Sequence, residues 1–124
     1  IAVVHGCPSP AEGEIRTLIG RSGHDRKKMT AKPKSGREAV TFYRVEKSSS
    51  DQGVSVVVLK IATGRTHQTR VHMAHLGHPV AGDGQYGSSR KDSLLPVQAS
   101  RQMLHARYLS FSHHVMKCIN YCYN

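Results

Sequence analysis

Thr63-Gly64-Arg65-Thr66-His67-Gln68-Thr69-Arg70-Val71-His72-Met73-Ala74-His75-Leu76-Gly77-His78-Pro79 is the stretch on which the fold turns. Gly77 is placed to end a helix and Pro79 prevents its continuation, so a short helix is predicted from about His67 to Leu76, with Thr66 as its cap. Gln68, His72 and His75 share one side of such a helix. Arg70 and Met73 or Ala74 lie elsewhere, which predicts a polar basic face turned to a ligand and a second face that packs. Immediately upstream, Val54 to Ile61 is rich in β-branched residues and reads as a strand. Before it, Ala39 to Glu46 alternates, with Val40 and Phe42 on one face and Ala39, Thr41, Tyr43 and Val45 on the other. The two strands form a hairpin around the polar run Lys47 to Gly53. The unit is therefore strand, tight turn, short helix.

Working outward, the charge is strongly uneven. Of a net +10, eight basic residues against the single acid Asp25 fall between Arg16 and Arg37. Gly20, Gly23, Pro33 and Gly36 interrupt this segment, so it reads as a basic loop or hairpin suited to a polyanion. Ile1 to Val4 reads as the middle of a strand, and Met103 to Phe111 as a last strand or extended segment. Gly82-Asp83-Gly84-Gln85-Tyr86-Gly87 is a loop, and Ser88 to Ser100 is polar and poorly patterned. At 124 residues, with 38% apolar residues and no Trp, the chain is one basic domain or part of one. It has no apolar run long enough for a membrane span. Three cysteines at irregular spacing, Cys7, Cys118 and Cys122, do not make a disulfide framework and point to a reducing compartment.

Arg65 and Arg70 flank the helix start, where a phosphate or carboxylate is favoured. His72, His75 and His78 have the spacing of possible metal ligands. Gly77 separates the third from the helix, and no Cys or carboxylate lies close in sequence, so no metal site is expected. No Gly-x-Ser-x-Gly frame for a nucleophile occurs.

Gly64-Arg65-Thr66-His67-Gln68-Thr69-Arg70-Val71-His72, then His75-Leu76-Gly77-His78-Pro79, Gly82-Asp83 and Tyr86-Gly87, resembles the signature of the large-subunit ribosomal RNA type of pseudouridine synthase, the RluA family. Ala2-Val3-Val4-His5-Gly6, Lys28-Met29, Gly36 to Thr41 and Leu104-His105-Ala106 extend the likeness. It covers residues 1–112 and leaves 113–124 as an unmatched tail.

The resemblance implies an α+β fold with a mixed, mainly antiparallel sheet that is incomplete in this chain and has one bare edge. It implies isomerisation of uridine to pseudouridine in structured RNA, ribosomal RNA or tRNA, inside the cell, in the cytoplasm or an organelle, with no cofactor and no metal. The family's nucleophilic aspartate sits in a His-Arg-Leu-Asp motif that is not found among these residues, and its active-site tyrosine would fall just ahead of Ile1. Arg70 matches the arginine that pairs with that aspartate. Arg65, His67 and Gln68 would line the RNA side of the site, and Arg26, Lys27 and Lys28 would contact phosphates. Asp83 and Tyr86 are expected to brace the loop after the helix. The alternative is a non-catalytic RNA-binding module derived from the same fold.

Overall fold

The computed structural model describes the backbone of residues 1–113 and 117–122 and the side chains through residue 110. The strands are β1 (Ala2–His5), β2 (Glu12–Arg21), β3 (Met29–Thr30), β4 (Arg37–Ser49), β5 (Val54–Ile61), β6 (Tyr108–His113) and β7 (Lys117–Cys122). The helices are α1 (Gln68–His75) and α2 (Ser89–Asp92). The first five strands form one antiparallel sheet in the order β1-β5-β4-β2-β3, and β6 pairs with β7 in a separate two-stranded ribbon. This is the expected α+β, mainly antiparallel architecture.

The hairpin joins the two expected strands, but β4 runs on through Lys47, Ser48 and Ser49, which pair with Val56, Ser55 and Val54, so its loop is shorter than the expected run from Lys47 to Gly53. Thr41 faces Ile61, Phe42 faces Lys60, Tyr43 faces Leu59 and Arg44 faces Val58, with a bulge between Val45 and Lys47. Ala39, Thr41 and Tyr43 turn to the buried face of the sheet, whereas Phe42 on the other is 40% exposed. A strand absent from the sequence reading lies beside it. In β2, Ile15 and Ile19 are buried while Glu12, Glu14, Arg16 and Leu18 are exposed. That period of two was present in the sequence, but from Arg16 onward the charged residues had placed it in a basic loop or hairpin, and the end of β2 does form a short hairpin with β3.

The core forms where α1 lies against the buried face. Ala2, Val4, Ile15, Tyr43, Val57, Met73 and Val80 make one cluster, and Ile19, Ala39 and Val71 a second, flanked by Met29, Ala31 and Tyr86. Met73 is fully buried; burying a side chain of this size contributes about 1.5–3 kcal/mol. The outer side of β1 is covered. Val3 N–H donates to the Met103 carbonyl, His5 N–H to Pro79, and Ala81 N–H to Val3. The bare edge is at β2, which beyond β4 pairs only with the two residues of β3 among the described residues. Alternating Glu12, Glu14 and Arg16 keep that edge polar rather than apolar.

Two further differences concern the later chain. Ser88 to Ser100 contains α2, whose Ser88 hydroxyl accepts from Lys91 N–H. The stretch expected as a last strand or extended segment from Met103 is divided: Met103 and Leu104 lie extended beside β1, and β6 begins only at Tyr108, with β7 after it. Among the described residues no helix is long and apolar enough to cross a membrane.

Candidate active-site helix and basic arm

Helix α1 starts one residue later than expected, and Thr66 does not cap it. His67 holds the preceding position in the left-handed region, φ 55°, with no side-chain cap. The Gln68 amide instead ties the start of the helix to the preceding turn and to β4. Its Oε1 accepts from Arg65 N–H at 3.0 Å and the Thr63 hydroxyl at 2.8 Å, and its Nε2 donates to the Val40 carbonyl at 2.9 Å and Thr41 Oγ1 at 3.0 Å. The helix ends as expected at Gly77, φ 89°, where a side chain would be strained. Gly77 N–H donates to the Ala74 carbonyl and His78 N–H to Met73, which closes the last turn.

The polar face predicted to meet a ligand is largely spent on the sheet. Gln68 is 3% exposed and His72 is fully buried. The His72 ring lies between β4 and β2, with Nδ1 2.9 Å from Thr41 Oγ1 and Nε2 3.0 Å from Thr17 Oγ1. Burial, with a smaller contribution from His75, lowers its pKa to about 4, so the ring is neutral near pH 7. Gln68 therefore stands inward from the surface where RNA contact was expected. Of the three residues on that face, His75 alone is exposed.

Arg70 leaves the helix on another side and has an acidic partner within the chain. Nε donates to Asp83 Oδ2 and Nη2 to Asp83 Oδ1, each at 2.7 Å. Asp83 is 1% exposed, and its Oδ1 also accepts from Gln85 N–H and Tyr86 N–H. Burial pushes this carboxyl's pKa up, but the guanidinium and the two amides outweigh burial and hold it below the ordinary value. Gly87 N–H donates to the Asp83 carbonyl, and a Cβ at Gly87 would collide with that oxygen. Asp83 thus anchors the loop and fixes Arg70. Among the described residues, Nη1 of Arg70 makes no hydrogen bond. A guanidinium held along its Nε–Nη2 edge keeps those donors for a second acceptor.

Tyr86 connects Arg70 to the basic arm, the segment from Ser22 to Thr30. The Arg70 guanidinium lies 4.9 Å above the Tyr86 ring centre, and His67 meets the ring edge-on. Tyr86 Oη accepts from Met29 N–H and is 2.9 Å from His67 Nδ1. Arg26 and Lys27 are exposed and Lys28 is half-buried. The arm closes through Ser22 N–H to the Lys28 carbonyl and Lys27 N–H to Asp25 Oδ1. Among the described residues, the charged ends of Arg26, Lys27 and Lys28 have no acidic partner.

Arg65 stands apart from this group. Its Nε donates to the Glu38 carbonyl, and it lines an open cleft of about 550 Å³ with Arg37, Ser35, Gly36 and Thr66. His72 and His78 are engaged separately, the latter with the His5 carbonyl. Among the described residues no group of three or more His, Cys, Asp or Glu could hold a metal ion. The side chains of Cys118 and Cys122 lie outside the described residues. Sequence reasoning missed Gln85, whose signal was its place between two residues already singled out. It also missed the 2.7 Å pair of His5 Nε2 with Asp92 Oδ1, which joins β1 to α2 and leaves no local pattern.

The chain as a whole is similar to known proteins. The family model of RNA pseudouridylate synthase matches residues 1–75. An uncharacterized RNA pseudouridine synthase of Bacillus subtilis (strain 168) is 42% identical over 112 residues, which cover 90% of this chain and 36% of that protein. Ribosomal large subunit pseudouridine synthase D of Neisseria meningitidis is 41% identical over 111 residues, 84% of this chain and 29% of that one. The structure of human RNA pseudouridylate synthase domain containing 1 superposes with a TM-score of 0.86 at 32% identity, covering 99% of this chain and 52% of that one. The chain spans about a third of the length of the curated relatives it matches. With the family model matched from β1 to the end of α1, the chain belongs to the RNA pseudouridylate synthase family.

Proposed function

We propose that residues 1–112 are the C-terminal part of the catalytic domain of an intracellular RNA pseudouridine synthase acting on ribosomal RNA or tRNA, with 113–124 as a tail beyond it. The nucleophilic aspartate is supplied by a segment outside these 124 residues. In the reaction the bond from N1 of uracil to the ribose breaks, the base turns in the site, and a bond forms from C5 to the ribose. The C5 proton is released and N1 gains one. Arg70 orients the aspartate and keeps it ionised.

The observation that carries this reading is the fixed Arg70 with unspent donors. Asp83 holds one edge of the guanidinium, and Nη1 remains for a second carboxylate. Sequence expectation gave Arg70 one partner outside the chain; here it serves two, one structural and one catalytic. Gln68 and His72 position the helix that bears it. The cations of the arm and the Arg65 cleft contact RNA phosphates, and the target nucleotide is flipped out to reach the site.

The second reading, an RNA-binding module without catalysis, draws on the same ion pair, because Arg70 and Asp83 already satisfy one another as structure. Release of tritium from RNA carrying C5-tritiated uridine separates the two. The longer natural protein containing this chain releases tritium and the chain alone does not. RNA binding by both without release by either would establish the non-catalytic reading. Release by the chain alone would make one of its own acids, most directly Asp83, the nucleophile.

A further inference from the structure

We propose that Tyr86 and Gln85 are positioning residues that latch the basic arm to Arg70, so that RNA held on the arm sets the orientation of the active-site guanidinium. This inference rests on the RNA-binding reading above.

The arm has few other attachments. Its two-residue strand pairs with β2 only at Gly20–Thr30 and Arg21–Met29, and Arg21 Nη1 reaches the Arg26 carbonyl. Such a segment belongs to the less stable part of a fold. On the side facing α1, two single-residue bridges lead from its backbone to Arg70. Gln85 Nε2 donates to the Lys27 carbonyl at 3.1 Å, while its Oε1 lies 3.4 Å from Arg70 Nη2. Tyr86 Oη accepts from Met29 N–H at 2.9 Å, while its ring supports the guanidinium from below.

The backbone groups engaged belong to Lys27 and Met29, which flank Lys28 in the run whose cations have no acidic partner among the described residues. A phosphate drawn to Arg26, Lys27 and Lys28 therefore pulls on the carbonyl and amide that Gln85 and Tyr86 hold. Tyr86 also carries the movement to the helix start, since its hydroxyl meets His67, a non-glycine residue in the left-handed region. Backbone held in that region depends on its surroundings and responds when they shift. Neither bridge uses the Nη1 donors of Arg70, so the latch and a second carboxylate can act together.

The test follows the Arg70 side-chain Nε–H signal by NMR in the chain labelled with ¹⁵N-arginine, assigned with Arg70→Lys. A short RNA hairpin with a uridine loop is added to saturation, and its affinity is measured alongside. In the wild type the Arg70 signal shifts on saturation. In Tyr86→Phe/Gln85→Ala the shift is lost while affinity stays within about threefold, because the cations that contact phosphate are untouched.

Tyr86→Phe alone keeps the ring and removes the hydroxyl, and it carries the test should the double variant not fold. It is expected to expose Met29 N–H to hydrogen exchange and to weaken the Arg70 shift. An undiminished Arg70 shift in a folded variant that lacks the bridges would overturn the latch, as would RNA binding by the wild type with no Arg70 response. In both cases the RNA-binding reading survives. Absence of RNA binding by the wild type would remove that reading, and the latch with it.

Discussion

Where α1 meets the sheet, Gln68 and His72 are buried and hydrogen-bonded to Val40, Thr41 and Thr17. In the arm, Arg26, Lys27 and Lys28 have no acidic partner among the described residues. Both regions come from strongly polar sequence. The difference is in satisfaction: a polar group whose donors and acceptors are already met by protein holds the fold, and one whose charge is unmet remains for a ligand. Arg70 joins the two conditions in one side chain, with one edge committed to Asp83 and Nη1 without an acceptor among the described residues.

The largest effect expected on the buried side comes from breaking the Arg70 pair. Arg70→Met leaves the nearly inaccessible Asp83 without its counter-charge and should lower stability by about 3–5 kcal/mol, read from urea denaturation. Arg70→Met/Asp83→Leu should recover part of that loss, because an apolar pair leaves no stranded charge. A single variant as stable as wild type would place Arg70 with the arm cations rather than with the satisfied groups.

The next effect is on pH dependence. The folded His72 pKa, about 4, lies below its ordinary 6.5, so on acidification the unfolded chain takes up the proton first. Stability from this group is full above pH 6.5 and declines as pH falls towards 4, by about 3 kcal/mol at most. Asp83, also depressed, loses its contribution only as pH falls through its own folded pKa, below the ordinary carboxylate value. Thermal unfolding between pH 7 and 4 should show the His72 decline, and His72→Gln should flatten it. A wild-type curve flat from pH 7 to 5 would mean that the ring is not protected as its burial requires.

The smallest effect on stability is expected in the arm. Arg26→Ala, Lys27→Ala and Lys28→Ala together should change unfolding free energy by no more than about 0.5 kcal/mol per site. RNA binding should weaken for many sequences alike, and the slope of log affinity against log salt should fall by about 2–3. Unchanged affinity and slope would make the arm a solvated surface.

The parts of this arrangement that local chemistry determines were legible in the sequence. Gly77 ends the helix because it can adopt a positive φ, and β5 follows from the β-branched residues of Val54 to Ile61. The start of α1 was not legible, since Thr66 makes no cap and Gln68 fixes the helix start by reaching Val40 and Thr41 on a strand 27 residues and more away in sequence. β2 was hidden because its second half, from Arg16, fell in a segment read from its charge as a basic loop or hairpin, and the alternation shows only once Ile15 and Ile19 are seen against the core. Arg70 and Asp83 were both singled out, the latter as a loop brace. Their pairing depends on the turn at Gly77 and on the path of Pro79 to Gly82 beside β1, which no short pattern contains.

The proposed part of Arg70 in the chemistry, beside its place in the fold, is tested most directly by tritium release from C5-labelled uridine in RNA. The longer natural protein should be compared with its Arg70→Met and Arg70→Lys variants at a temperature where circular dichroism shows all three folded. Arg70→Met should slow turnover by roughly two to four orders of magnitude, the kinetic equivalent of a broken carboxylate–guanidinium pair. Arg70→Lys should recover only part, because a point charge cannot serve both edges of a planar fork. Near-normal release by a folded Arg70→Met protein would contradict the claim and leave the arginine a structural partner of Asp83.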